Sequence, residues 1–143
     1  MSEATNQLVQ RAIDAAGSAY APYSNFHVGA ALLLDSGEII TGSNFENASY
    51  GMTLCAETVA IAAANSHGKL RAIREIAVAG GLAGHVGMAA EPVTPCGRCR
   101  QIIKEVADLS STDILVHCAH ATGFETFKLS ELLPHGFGPA SLK

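Results

Sequence analysis

Two short segments constrain this chain more than anything else in it: Leu54-Cys55-Ala56-Glu57-Thr58-Val59-Ala60-Ile61 and Pro95-Cys96-Gly97-Arg98-Cys99-Arg100-Gln101-Ile102-Ile103. Each sets a cysteine at the head of an apolar helical run. Two residues separate Cys96 from Cys99, so both thiols can face one point just before or within a first helical turn. Unpaired N–H groups and the positive helix end there favour thiolate over thiol. Cys55 opens its own helix in the same way. Brought together, three thiolates would hold one tetrahedral zinc ion per chain and leave its fourth position open, the mark of a catalytic site. Water in that position ionises readily. Glu57 follows a ligand by two residues and is not needed as one, which frees it to shuttle protons. The expected chemistry is hydrolysis. Buried hydrophobic cysteines or a structural zinc knot would be the reading for a lone Cys-x-x-Cys. The Cys-Ala-Glu helix start and Pro95 before the pair favour catalysis.

Length and charge narrow the rest. At 143 residues the chain is expected to be a single domain, 1–143. Hydrophobic residues make up 48% and charged residues only 15%, a balance that points to surface covered by further copies of the chain. A net charge of −4 offers no basic footprint for a nucleic-acid polymer. A small neutral substrate suits it better. Met1 to Gln10 is polar and holds no apolar stretch of a secretory signal, and no apolar run reaches membrane-spanning length. A cytoplasmic protein without membrane contact is expected, where free thiols persist for metal binding.

Along the chain, Leu8, Val9, Ala12, Ile13, Ala16 and Ala19 repeat with a helical period over residues 3–20. Tyr20-Ala21-Pro22-Tyr23-Ser24 breaks it. Phe26 to Leu34 reads as a strand buried on both faces, and Glu38 to Phe45 returns as its antiparallel partner after the Asp35-Ser36-Gly37 turn. The hairpin delivers Asn44-Phe45-Glu46-Asn47-Ala48-Ser49-Tyr50-Gly51 directly before Cys55. Asn44 and Glu46 alternate and would leave the strand on one face, an amide and a carboxylate suited to adjacent sugar hydroxyls or to a capped turn. A helix from Cys55 ends near His67-Gly68, and a strand runs through Ile76-Ala77-Val78-Ala79. Gly81 to Thr94 forms a long loop, either part of the site entrance or a mobile connection. A second metal helix spans Cys96 to Leu109, and strands follow at Asp113–Cys118 and Phe124–Leu129. The pattern implies an α/β fold: one mixed five-stranded sheet between helical layers. Cys118, inside a strand pattern, is expected to be a buried hydrophobe rather than a ligand. His117 and His120 beside it are assigned to the surface or a strand edge.

The blocks Tyr23-Ser24-Asn25-Phe26-His27-Val28-Gly29-Ala30-Ala31-Leu32, Asn44 to Gly51, Cys55-Ala56-Glu57, Pro95-Cys96-Gly97-Arg98-Cys99-Arg100-Gln101 and Leu132-Leu133-Pro134 with Phe137-Gly138-Pro139 resemble, in order, those of the small homotetrameric zinc-dependent cytidine deaminases. The resemblance implies a three-layer α/β/α fold and a homotetramer with sites at subunit junctions. It implies hydrolytic deamination of cytidine and deoxycytidine to uridine and deoxyuridine, in pyrimidine salvage. It makes Cys55, Cys96 and Cys99 the zinc ligands and Glu57 the proton shuttle. Asn44 and Glu46 become contacts to the ribose 3′-hydroxyl, and the Ala56 N–H a contact to the base. Phe26 and Phe137 become walls of the base pocket, Phe137 and with it Tyr50 reaching in from a neighbouring subunit. One departure stands out. Thr58 occupies the place of the arginine that usually bonds the thiolates, while Arg98 occupies the place of a small residue. The expectation is that Arg98 replaces the missing arginine at the sulfurs. The second cysteine block also resembles blasticidin-S deaminase, which leaves a modified cytosine nucleoside or nucleoside antibiotic as the alternative substrate. A non-catalytic zinc-stabilised oligomer is the reading from a different class, and Glu57 argues against it.

Overall fold

The computed structural model describes residues 2–143. Helix α1 (Glu3–Ala15) begins where the Ser2 hydroxyl accepts the Thr5 N–H at 3.1 Å, a side-chain cap for an otherwise orphaned donor. Strands β1 (Phe26–Leu34) and β2 (Ile39–Ser43) form the hairpin, and helix α2 (Ala56–Ser66) follows. Then come β3 (Ile73–Leu82), helix α3 (Gly97–Ser110), β4 (Leu115–His120), β5 (Gly123–Lys128) and a short α4 (Leu129–Leu132). The sheet order is β2-β1-β3-β4-β5. Strands β3 and β4 pair in parallel and the other neighbours antiparallel.

Alternation along the strands builds the two faces. On one face Leu32, Leu34, Ile76, Val78, Val116 and Cys118 pack against Ala56, Ala60 and Ala64 of α2 and Ile103 and Val106 of α3. On the other, Ala31, Ala77, Ala79 and Ala119 meet Leu8, Val9 and Ala12 of α1. The result is the expected three-layer α/β/α sandwich with a mixed five-stranded sheet. Small residues set how near the helices come. A Cβ on Gly42 of β2 would lie 2.5 Å from the Ala60 nitrogen and 2.8 Å from the Ala56 carbonyl oxygen, so α2 lies directly on the backbone of β2. That close approach fixes where the head of α2 points.

Three local expectations are corrected. Strand β2 stops at Ser43, not Phe45, because Asn44 completes the edge with its side chain. Its Oδ1 accepts the Val28 N–H at 2.9 Å and its Nδ2 donates to the Phe26 carbonyl at 3.0 Å. Strand β3 runs on to Leu82, which shortens the glycine-rich connection. His117 is not at the surface: it is 3% exposed, with its ring edge-on to Phe124. Its Nε2 lies 2.7 Å from a Glu75 carboxylate oxygen and its Nδ1 2.8 Å from the Thr126 hydroxyl. A buried imidazole is tolerated there because both ring nitrogens have partners. Cys118 is fully buried in β4, and burial pushes its thiol up to about 12, as befits a packing residue. Among the described residues no helix is long and apolar enough to cross a membrane.

Candidate active site

Helices α2 and α3 start side by side, and each has a cysteine as its N-cap, Cys55 and Cys96. The first intrahelical bonds are Val59 N–H to the Cys55 carbonyl and Arg100 N–H to the Cys96 carbonyl. The N–H groups of residues 56–58 and 97–99 therefore have no acceptor within their helices. Cys99 lies one turn into α3. The sulfurs of Cys55 and Cys96 are 3.7 Å apart, and those of Cys55, Cys96 and Cys99 all lie within 4.8 Å of one another. Tetrahedral zinc with bonds of about 2.3 Å requires ligand sulfurs about 3.8 Å apart. The donor set, three thiols with no fourth ligand among the described residues, fits zinc with one position left for a small molecule.

The electrostatics agree with a site built to hold anions. The thiol of Cys55 is held below its ordinary range by a hydrogen bond from Cys99, helped by Cys96 and by the positive field of Arg98. Ionisation of the first thiol opposes that of its neighbour, so Cys99 is pushed up when no cation is present. A divalent cation removes that conflict, since it stabilises all three thiolates together. Glu57 is 3% exposed, and burial, with the nearby Cys55 charge, pushes its carboxyl up to about 7.

Cys55, Ala56, Glu57 and Cys96 border one cavity of about 210 Å³, with Phe26, Asn44 and Val93 along its walls. Gly80 lies under this wall: a Cβ there would come within 3.1 Å of both the Phe26 ring and Val93. Thr53 joins the cavity to a smaller depression lined by Tyr23, Ser24, Glu46 and Tyr50. A larger open groove of about 680 Å³ between α3, α4 and the C-terminal tail holds the Lys104–Asp108 ion pair but none of the thiols.

The anticipated site residues are thus placed as follows. Cys55, Cys96, Cys99, Glu57, Ala56, Phe26 and Asn44 come together. Glu46 and Tyr50 stand next door; the Glu46 carboxylate accepts the N–H groups of Tyr23 at 3.0 Å and Ser24 at 3.2 Å and the Ser24 hydroxyl. Phe137 does not border the cavity of its own chain. Its carbonyl accepts Gln101 Nε2 at 2.8 Å while its side is 57% exposed. Arg98 is exposed and, among the described residues, forms no hydrogen bond to any of the three sulfurs; its influence on Cys55 is through its charge alone. Two residues take roles the sequence did not assign to them. Thr58 brings its hydroxyl to 3.4 Å from the Cys99 sulfur. Arg100 ties Pro95 and Thr94 to the end of α4, with bonds to the Pro95 carbonyl at 2.7 Å, the Thr94 hydroxyl at 3.0 Å and the Leu132 carbonyl at 2.9 Å. The sequence offered Arg100, like Arg98, as a positive charge near the sulfurs; its guanidinium bonds oxygen acceptors of Pro95, Thr94 and Leu132 instead.

Comparison with known proteins agrees with this geometry. The sequence profile of the cytidine and deoxycytidylate deaminase zinc-binding region matches residues 2–112. A cytidine deaminase of Halalkalibacterium halodurans is 44% identical over 131 residues, covering 91% of each chain. A cytidine deaminase of Mycobacterium tuberculosis is 42% identical over 133 residues, covering 93% of this chain and 89% of its own. Among solved structures, cytidine deaminase from Burkholderia pseudomallei superposes with a TM-score of 0.80 at 35% identity, over 96% of this chain and all of the other. Matches of that extent place this chain in the cytidine and deoxycytidylate deaminase zinc-binding family.

Proposed function

We propose that this protein deaminates cytidine and deoxycytidine: water adds at C4 of the cytosine ring, ammonia leaves, and uridine or deoxyuridine is released. One observation carries the reading. Three sulfurs clustered closely enough to share one metal ion stand beside a buried carboxyl of raised pKa, and two of those sulfurs and the carboxyl residue line one cavity. Bound zinc supplies the Lewis acidity that makes a water nucleophilic near neutral pH. Cys55, Cys96 and Cys99 would hold that ion. Glu57, its carboxyl raised by burial, accepts a proton from water and delivers protons to ring N3 and then to the departing amine. The Ala56 N–H, free at the head of α2, offers a donor to the base, and the Phe26 ring offers a flat apolar wall. Asn44 holds the wall in place through the Phe26 carbonyl and the Val28 N–H, and together with Glu46 it provides the polar side facing the sugar. The relatives at 42–44% identity are cytidine deaminases, which favours cytidine over the nucleoside-antibiotic alternative.

A homotetramer with shared sites completes the proposal. The cavity of about 210 Å³ is smaller than the roughly 300 Å³ lower bound for pockets that bury a whole drug-sized ligand. Around it Tyr23, Phe45, Tyr50 and Met52 are 49%, 52%, 74% and 65% exposed, an apolar rim of the kind that another copy covers. Phe137, exposed on an anchored tail, is then the residue handed to a neighbour's pocket. In this reading residues 1–143 act as one domain, in the cytoplasm, in pyrimidine salvage. The test is ultraviolet absorbance of a cytidine solution with the zinc-loaded protein. Loss of the cytidine signal with release of ammonia is expected; bound zinc with no turnover of any cytosine nucleoside would contradict the proposal.

A further inference from the structure

We propose that Thr58 is a positioning residue of the metal centre, its hydroxyl donating a hydrogen bond to the Cys99 sulfur. The inference rests on the zinc-site reading above. Cys55 and Cys96 cap their helices, so Thr58 and Cys99 occupy the equivalent third position of α2 and α3. The two first turns face each other, and Thr58 Oγ1 stands 3.4 Å from Cys99 Sγ, inside the range of an O–H···S contact. Once Cys99 is a thiolate, only the hydroxyl of this pair has a proton to donate.

The three sulfurs do not need such a donor equally. Cys96 is exposed and Cys55 half-buried, so solvent reaches both, whereas Cys99 is fully buried. A buried charge without a donor is costly, and Thr58 supplies one from the neighbouring helix. A threonine this early in a helix has a competing use, bonding back to the carbonyl three or four residues before it. Here the hydroxyl instead makes its contact with the Cys99 sulfur. Its β-branched stem restricts χ1, so little rotamer freedom is lost in aiming it. A neutral donor orients the sulfur without adding positive charge beside the ion.

Thr58→Val keeps the shape and removes the donor, Thr58→Ser keeps the donor, and Thr58→Ala removes it without crowding should valine disturb the helix contact. Each full-length protein is loaded with cobalt(II) for spectroscopy and with zinc for chelator competition. Without the bond the sulfur electrons are held less tightly, so the sulfur-to-cobalt charge-transfer band of Thr58→Val should move to lower energy. Zinc should pass to the chelator about 10-fold more readily, the lower end of the effect of losing a partner to a metal ligand. Thr58→Ser should match the parent in both. An unchanged band and unchanged zinc retention in both Thr58→Val and Thr58→Ala would overturn the inference, as would Thr58→Ser behaving like Thr58→Val. A parent protein that takes up neither metal would overturn the zinc-site reading itself and this inference with it.

Discussion

Cys55 and Cys96, 41 residues apart in the chain, cap adjacent helices with their sulfurs 3.7 Å apart. That separation makes the metal centre a property of how α2 and α3 pack, and Cys118, though close in the sequence of β4 to the same core, is no part of it. Replacing Cys55, Cys96 or Cys99 with serine should abolish stoichiometric zinc binding. Cys118→Ser should keep one zinc per chain while losing about 1–3 kcal/mol of stability, because a hydroxyl is then buried in an apolar layer. Metal analysis beside denaturant unfolding checks both; zinc lost from Cys118→Ser, and also from Cys118→Ala, would mean a different ligand set.

The site depends on how deeply α2 presses onto β2. Gly42→Ala puts a methyl group 2.5 Å from the Ala60 nitrogen, and backbone cannot give way as a side chain can. A loss of about 1–3 kcal/mol is expected, together with weaker zinc retention as the head of α2 moves. Gly17→Ala is the control: among the described residues no atom lies within 4 Å of its added Cβ, and its effect should stay within about 0.5 kcal/mol.

Glu46 gives a pH dependence of known sign. The Ser24 hydroxyl, with the Tyr23 and Ser24 N–H groups, holds its carboxyl below the usual range despite opposing desolvation. A carboxyl depressed in the folded state contributes stability that is complete above its unfolded value of about 4.3. The contribution is lost as pH falls through the lower folded value. Denaturation midpoints of the parent should therefore exceed those of Glu46→Gln at neutral pH and converge with them in acid. Parallel curves across that range would show the carboxylate to be uninvolved.

Sharing of sites is tested through Phe137. Light scattering should give a tetramer, and Phe137→Ala should lower turnover although the residue lies outside its own chain's cavity. The Gln101 bond to its backbone carbonyl survives that change, so the tail stays docked. A fully active monomer would defeat the shared-site proposal.

Much of this was legible in the chain. The apolar run of β1 was delimited to the residue, because Asn25 before it and the Asp35-Ser36-Gly37 turn after it interrupt an almost continuously apolar stretch. The cysteine helix starts were legible because capping is local. What escaped was whatever depends on one element meeting another. Thr58 looked like a loss of charge next to the ligands, and Arg98 like its replacement. Only the packing of α2 on α3 shows that position three of one helix meets position three of the other, while Arg98 at position two points outward. Asn44 was readable as a polar strand end, but its use as a substitute rung on β1 depends on where β2 stops. His117 misled because its partners, Glu75 and Thr126, come from the strands on either side, and pairing register is not visible in any one strand.

The most direct test of the account is the pair zinc content and cytidine turnover in Glu57→Gln. An amide in place of the carboxyl keeps the volume and cannot carry protons, and the residue is not among the metal-binding sulfurs. Zinc should remain at one ion per chain and the fold unchanged. Turnover should fall by at least about 10²–10⁴-fold, the usual share of general acid–base catalysis. Zinc-loaded Glu57→Gln that deaminates cytidine at close to the parent rate would contradict the central claim.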